Sequence, residues 1–332
     1  MDPRYEQLQV WLKSLGIENY QVAPASADAS FRRYFRVVWQ DKSYIVMDAP
    51  PDKEDCHPFI MVAEMLHRIG LNVPVILEQD LEQGLLLLSD LGNTVYLSEL
   101  NNATVDNLYT SAMDALLIMQ RQGEVNNLPP YDKALLENEA ALFHQWFIEQ
   151  HLQQSLSTEQ HKRLNNAVEL LVDNALAQPQ VCVHRDYHSR NLMINKLNPE
   201  QPGILDFQDA VVGPVTYDLV SLLKDCYIDW PREQVEKWVS QYREKAISQG
   251  VIENISHEVF LKWFDLMGMQ RHLKAIGIFA RLKHRDGKTG YIKDIPRTLD
   301  YVIDVAERYP EFSELAQWLI KEIQPAMNSR VA

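Results

Sequence analysis

The sequence predicts an α+β chain in two parts: a small antiparallel sheet with one inserted helix within residues 1–92, and a larger, mainly helical portion at 93–332. Three observations carry this expectation. Short apolar runs split by turn residues fill 34–89, long 3.6-residue periodicity takes over after Gly92, and a turn-rich apolar hairpin at 181–209 interrupts the helices. At the start, residues 3–15 repeat apolar positions at helical spacing, Leu8, Val10, Trp11 and Leu15, and the segment stops at Gly16. Residues 34–39 and 43–48 flank a Gln40-Asp41-Lys42 turn and form a hairpin, which Pro50-Pro51 ends. A helix at 58–69 closes on Gly70, and strands at 73–78 and 85–89 pair around Glu82-Gln83-Gly84. Helices then follow at 103–120, 133–152, 158–177, 214–227, 231–249, 257–284 and 295–308.

Composition narrows the classes. With 332 residues, 46% of them hydrophobic, the chain can bury two cores. A net charge of −14 argues against sequence-independent nucleic-acid binding, which needs a basic surface. Cys56, Cys182 and Cys226 are odd in number and far apart, so they give neither a disulfide framework nor a zinc pattern. No apolar run approaches ~18 residues, and the start lacks the charged and apolar regions of a leader. The expectation is a monomeric cytoplasmic protein with no membrane or nucleic-acid partner.

Chemistry concentrates between residues 184 and 206. His184, Arg185, Asp186 and Asn191 fit H-R-D-x-x-x-x-N, and Asp206 opens D-F-Q fifteen residues later. In such a motif the Asp accepts a proton from a substrate hydroxyl, while the Asn and the second Asp hold Mg²⁺. The intervening segment has the punctuation of a hairpin, which returns Asp206 to the neighbourhood of Asn191. Mg²⁺ takes oxygen ligands and usually only one or two from the protein, with phosphates supplying others. Two protein oxygens therefore suffice. His184 is expected to order the loop, and Asp218, in Tyr217-Asp218-Leu219, to brace it through backbone hydrogen bonds.

The motifs and their order resemble the aminoglycoside phosphotransferase and choline kinase branch of the bilobal protein-kinase-like fold. Asp186-Tyr187-His188 is closer to the D-x-H of that branch than to the D-L-K of protein kinases, and no long activation segment fits after Asp206. The runs SFRRYFRV, DAPP, LLLLSDLG, DFQDAVVGPVTYDLVSLLKD and MGMQRHLKAIGIFARLKHRDGK are further similar to cell-wall-recycling kinases acting on N-acetylmuramate and N-acetylglucosamine. That resemblance implies ATP and Mg²⁺ as cofactors and phosphorylation of the anomeric hydroxyl. Its product is a sugar 1-phosphate destined for a UDP-sugar in peptidoglycan recycling.

The pattern also breaks. Met47-Asp48 stands where kinases keep a strand lysine, and ASADASFRRYF has no glycine where they have a Gly-rich loop. Ser30 and Phe31 are the expected phosphate-loop residues, and Arg32 or Arg33 would supply the missing positive charge, unless both are solvent-facing strand residues. Backbone groups of Ser89, Asp90 and Leu91 are expected to read the adenine edge. Acceptor-site candidates are Gln208 and Asp209, beside the metal Asp, together with Glu139, Arg271 and Lys274. The two cations would meet the lactyl carboxylate of muramate, although a pair three apart on a helix can equally face water. Two other functions compete: a kinase of a cationic small molecule such as an aminoglycoside or choline, and a nucleotide-binding pseudoenzyme, which the intact Asp186, Asn191 and Asp206 disfavour.

Overall fold

The structure, a computed structural model, describes residues 2–27 and 31–331. In chain order its elements are α1 (Pro3–Ser14), β1 (Gln21–Ala27), β2 (Arg33–Trp39), β3 (Lys42–Asp48), α2 (His57–Arg68), β4 (Ile76–Asp80), β5 (Leu85–Ser89), α3 (Tyr96–Glu99), α4 (Val105–Gln122), α5 (Lys133–Leu142) and α6 (Thr158–Leu176). There follow β6 (Gln180–Val183), β7 (Leu192–Met193), β8 (Gly203–Ile204), β9 (Val211–Pro214), α7 (Tyr217–Leu223), α8 (Arg232–Ser248), α9 (His257–His284), α10 (Ile295–Arg308), α11 (Ser313–Trp318) and α12 (Gln324–Val331). By contacts the chain forms two compact units, Met1–Glu99 with Arg190–Asp209, and Leu100–Ser189 with Ala210–Ala332.

The first unit is an antiparallel sheet of order β1-β2-β3-β5-β4. Gln40 and Asp41, at φ of 49° and 59°, make a two-residue turn whose left-handed geometry matches the twist of the β2–β3 hairpin. On one face Leu8, Trp11 and Leu12 of α1 pack against Val37, Val46, Leu85 and Leu87. Asp2 caps α1 by accepting the N–H of Arg4 at 3.0 Å, with Pro3 in the first turn. Four consecutive buried leucines in β5 mean that both faces of the sheet are covered there. β1 is an element the pattern of the chain does not announce, since Pro24 interrupts it. In the structure Pro24 adjoins a register shift on an edge strand, where a missing N–H is tolerated.

The β7–β8 hairpin belongs to this unit as well, not with the helices as the 92/93 boundary had it. Backbone bonds from Ile204 N–H to Asn72 O and from Ile194 N–H to Thr94 O, both 2.8 Å, tie it to the sheet-bearing segment.

The second unit is built on α9. Its apolar residues run around most of the helix, so it sits among α5, α6, α7 and α10. At Gly277 the approach is so close that a Cβ would lie 2.3 Å from the carbonyl carbon of Leu142. Two expected helices differ. The 133–152 helix keeps α geometry to Leu142 and then widens into π turns over Phe143–His151. Residues 211–214 of the segment leading into the expected 214–227 helix instead pair with β6, leaving α7 only seven residues. Beyond Arg308, α11 and α12 complete the core with Leu315, Trp318 and Met327.

Candidate active site

In the second unit, β6 and β9 pair as far as Val183 and Val211, and the H-R-D loop leaves from the end of β6. Its backbone is fixed by one side chain. The Asp218 carboxylate, wholly buried on α7, accepts the N–H of His184 at 2.7 Å and of Arg185 at 3.0 Å. His184 Nδ1 in turn accepts the Asp186 N–H at 3.2 Å, and the Tyr187 hydroxyl donates to Ala112 O at 2.9 Å. Ser189 closes the loop by donating its N–H to Asp225 at 3.0 Å. Arg185 sits at φ 77°, a left-handed conformation that costs a side-chain-bearing residue on the order of 1–3 kcal/mol. Burial pushes the Asp218 carboxyl up to about 7, against the two N–H donors and Arg271. His184 and Asp218 are thus both hydrogen-bonded to the backbone of the loop.

Around this loop lies a buried set of charges. Glu139 of α5 takes the Arg185 guanidinium, the Tyr131 hydroxyl and, at 3.0 Å, Lys274 Nζ of α9. Lys274 also donates to the Tyr217 hydroxyl at 2.9 Å. One turn earlier on α9, the Arg271 guanidinium stands 6.0 Å from the Tyr217 ring centroid, with Nη1 3.9 Å from Cys226 Sγ. Burial alone would raise the Asp186 carboxyl, but Lys274, His188, Arg271 and His184 together hold it below its ordinary range. The same contest in Glu139 is won by Lys274 and Arg185. Glu139 is therefore placed as the internal counter-ion of Arg185 and Lys274.

In the first unit, Asn191 and Asp206 stand at the two ends of the β7–β8 hairpin. Leu205 N–H donates to Asn191 O at 2.9 Å, and Asn191 Nδ2 is 3.1 Å from Asp206 Oδ2. Asp206 has φ 65°, and the Gln208 amide donates to its other oxygen at 2.7 Å, while Asp209 is exposed. The adjacent carboxylate and carboxamide suit a hard cation, because turning the amide presents its oxygen beside the carboxylate. Among the described residues no three His, Cys, Asp or Glu gather as a metal cage.

The remaining expected residues of this unit are mostly committed to neighbours. Arg33 pairs with Asp2 and Asp48, and Arg32 with Glu54 at 3.1 Å. Glu54 also accepts the Phe31 N–H at 3.0 Å, and the Phe31 ring is exposed. Ser30 lies outside the described residues. Ser89 donates its N–H to Val75 O at 2.9 Å, and Asp90 accepts Arg36 Nε at 2.6 Å; Leu91 is half-buried. Sequence reasoning missed Arg36, Tyr131, Tyr217 and Asp225, none of which belongs to a spacing motif. It also saw Asp48 only as the absence of a lysine, whereas the residue is a fully buried ion-pair centre.

Fold and loop together define a kinase-like phosphotransferase. The architecture matches a choline kinase from Streptococcus pneumoniae with a TM-score of 0.65 at 14% identity, covering 91% of this chain and 100% of that one. It also matches an ADP-bound aminoglycoside phosphotransferase with a TM-score of 0.58 at 17% identity, over 92% and 99% of the two chains. The model of the phosphotransferase enzyme family matches residues 21–250, and the chain belongs to that family. It is similar to the N-acetylmuramate/N-acetylglucosamine kinase of Pseudomonas aeruginosa, at 47% identity over 96% of both chains. The enzyme so named from Neisseria meningitidis serogroup B is 41% identical, again over 96% of both.

Proposed function

We propose that the protein transfers a phosphoryl group from ATP to the anomeric hydroxyl of N-acetylmuramate and N-acetylglucosamine, giving the sugar 1-phosphates that peptidoglycan recycling carries on to UDP-sugars. The observation that carries this is the 41–47% identity, over nearly the whole chain, to kinases named for those two sugars. Asp186 orients the acceptor hydroxyl and takes its proton. An anomeric hydroxyl is more acidic than other sugar hydroxyls, so a carboxylate held in its ionised form is an adequate base. Asn191 and Asp206 hold Mg²⁺, which when bound neutralises charge on the phosphates. Gln208 keeps Asp206 oriented through its 2.7 Å hydrogen bond. Residues 31–33 and 89–91 contribute to nucleotide binding, with either Arg32, just ahead of β2, or Arg33, its first residue, supplying the positive charge.

The charges near Asp186 bear on the alternative. A cationic acceptor such as choline would meet Lys274 and Arg271, cations already drawn to the same carboxylate. A neutral or anionic acceptor is the better match. The proposed setting is cytoplasmic and monomeric, with no nucleic-acid partner; among the described residues no helix is long and apolar enough to cross a membrane. The test is ATP consumption against a panel of acceptors. Activity on N-acetyl sugars and none on amino alcohols is expected, and the reverse would reject the proposal.

A further inference from the structure

Arg271 differs from every other cation of the catalytic unit's buried cluster. Arg185 and Lys274 share the Glu139 carboxylate, but Arg271, 6% exposed, has no carboxylate within ion-pair distance among the described residues. Its Nε is buried without a hydrogen-bond partner, and its one polar contact is the weak acceptor Cys226 Sγ at 3.9 Å. The nearest neighbours do not pair it: the Cys226 thiol is kept neutral by burial and Tyr217 offers its ring, 6.0 Å away, so among the described residues the charge is answered only by the carboxylates of Asp186 and Asp225, which lie beyond ion-pair distance. A guanidinium carries five donors and cannot shed its proton, so burial with no carboxylate in hydrogen-bond reach leaves donors unsatisfied in the free protein. Such a cost is relieved by a ligand that brings an anion.

The position narrows what that anion is. Tyr217 precedes Asp218, which holds the His184 and Arg185 N–H groups, and the Tyr217 hydroxyl receives Lys274, which is joined through Glu139 to Arg185. Arg271 therefore lies against the supports of the catalytic loop and acts electrostatically on Asp186 itself. The two acceptors of the proposed reaction differ by one group, the lactyl ether of muramate with its carboxylate.

Resting on that proposed function, we infer that Arg271 is the specificity-determining residue of the acceptor site, binding the lactyl carboxylate of N-acetylmuramate through its unpaired guanidinium. Lys274 does not share the role, because its charge is met by Glu139 and Tyr217. A guanidinium fits a carboxylate with two parallel N–H donors, which an ammonium cannot reproduce.

The experiment measures kcat/KM for both sugars in the full-length wild type, Arg271→Gln and Arg271→Lys. The expected result is a fall of about 10–100-fold in the muramate-to-glucosamine ratio for Arg271→Gln, entering mainly through KM, with partial recovery in Arg271→Lys. A ratio unchanged from wild type overturns the inference, and so does an equal loss on both sugars, which would mark Arg271 as serving the phosphoryl group. If Arg271→Gln does not fold, wild type decides by itself: N-acetylmuramate should react at least tenfold more efficiently than its lactyl amide, and equal efficiency overturns the inference. Failure of the underlying function is recognisable separately, as wild type inactive on both sugars.

Discussion

Arg33 and Asp48 face each other across β2 and β3, with Arg33 Nε donating to Asp48 Oδ2 at 2.9 Å. Arg4, from the first turn of α1, donates to the other oxygen of the same carboxylate at 3.0 Å. Within Met47-Asp48, the stretch where a kinase strand lysine is expected, Asp48 is thus an anion clamped by two arginines, and it fastens α1 to the sheet.

Substituting the kinase residue there should fail. Asp48→Lys would set three cations together, one of them fully buried, at a cost of roughly 2–4 kcal/mol. That range lies below the value for a wholly buried pair because both guanidiniums keep some contact with water. Urea denaturation should show the loss, with Asp48→Asn intermediate; nucleotide affinity improved by Asp48→Lys would contradict this account.

Glu139→Gln leaves Arg185 and Lys274 buried with their shared anion removed. Breaking a buried ion pair by deleting one partner costs about 3–5 kcal/mol. The added change Lys274→Met should recover part of the stability, measured by urea melts of the single and double variants. Glu139 also has a pH signature. Its carboxyl is held below the usual range in the folded state, so its contribution is complete above the unfolded value and declines as pH falls through and below it.

Asp218 carries the opposite sign. Its folded value of about 7 lies above the unfolded one, so the folded state binds the extra proton between about 4 and 7 and stability falls as pH rises through that window. The melting temperature of wild type minus that of Asp218→Asn should decrease from pH 4 to pH 7. Because one amide oxygen cannot replace a carboxylate that accepts two N–H groups, the variant should also lose turnover while retaining nucleotide binding.

Much of the fold was legible because its signals are local. Gly16, Gly70 and Pro50-Pro51 punctuate elements that are found within one or two residues of their expected ends, and α9 spans 257–284 as its periodicity indicates. β1 was not legible, since an edge strand with a proline has no repeating pattern. The small ladder of β6 with β9 joins segments thirty residues apart and depends on tertiary pairing. In the site, the motif gave Asp186, Asn191 and Asp206 as chemistry, but it could not give the partners. Glu139, Tyr131, Lys274 and Tyr217 come from three helices and a loop, and nothing in their spacing relates them.

Asp186→Asn should remove turnover and spare binding. General-base assistance is worth about 10²–10⁴ in rate, and that loss should fall on kcat with little change in the KM for nucleotide. Since Lys274, His188, Arg271 and His184 outweigh burial and hold Asp186 below the ordinary carboxylate range, the wild-type rate should show no acid limb within that range. Steady-state rates across pH check both points; an inflection near neutrality assigned to Asp186 would contradict the charge arrangement.

The most direct measurement is phosphorus NMR of the product formed from ATP and N-acetylglucosamine by the purified full-length chain. A single anomeric phosphate is the expected product. A phosphate at C6, or no phosphorylated sugar at all, would contradict it.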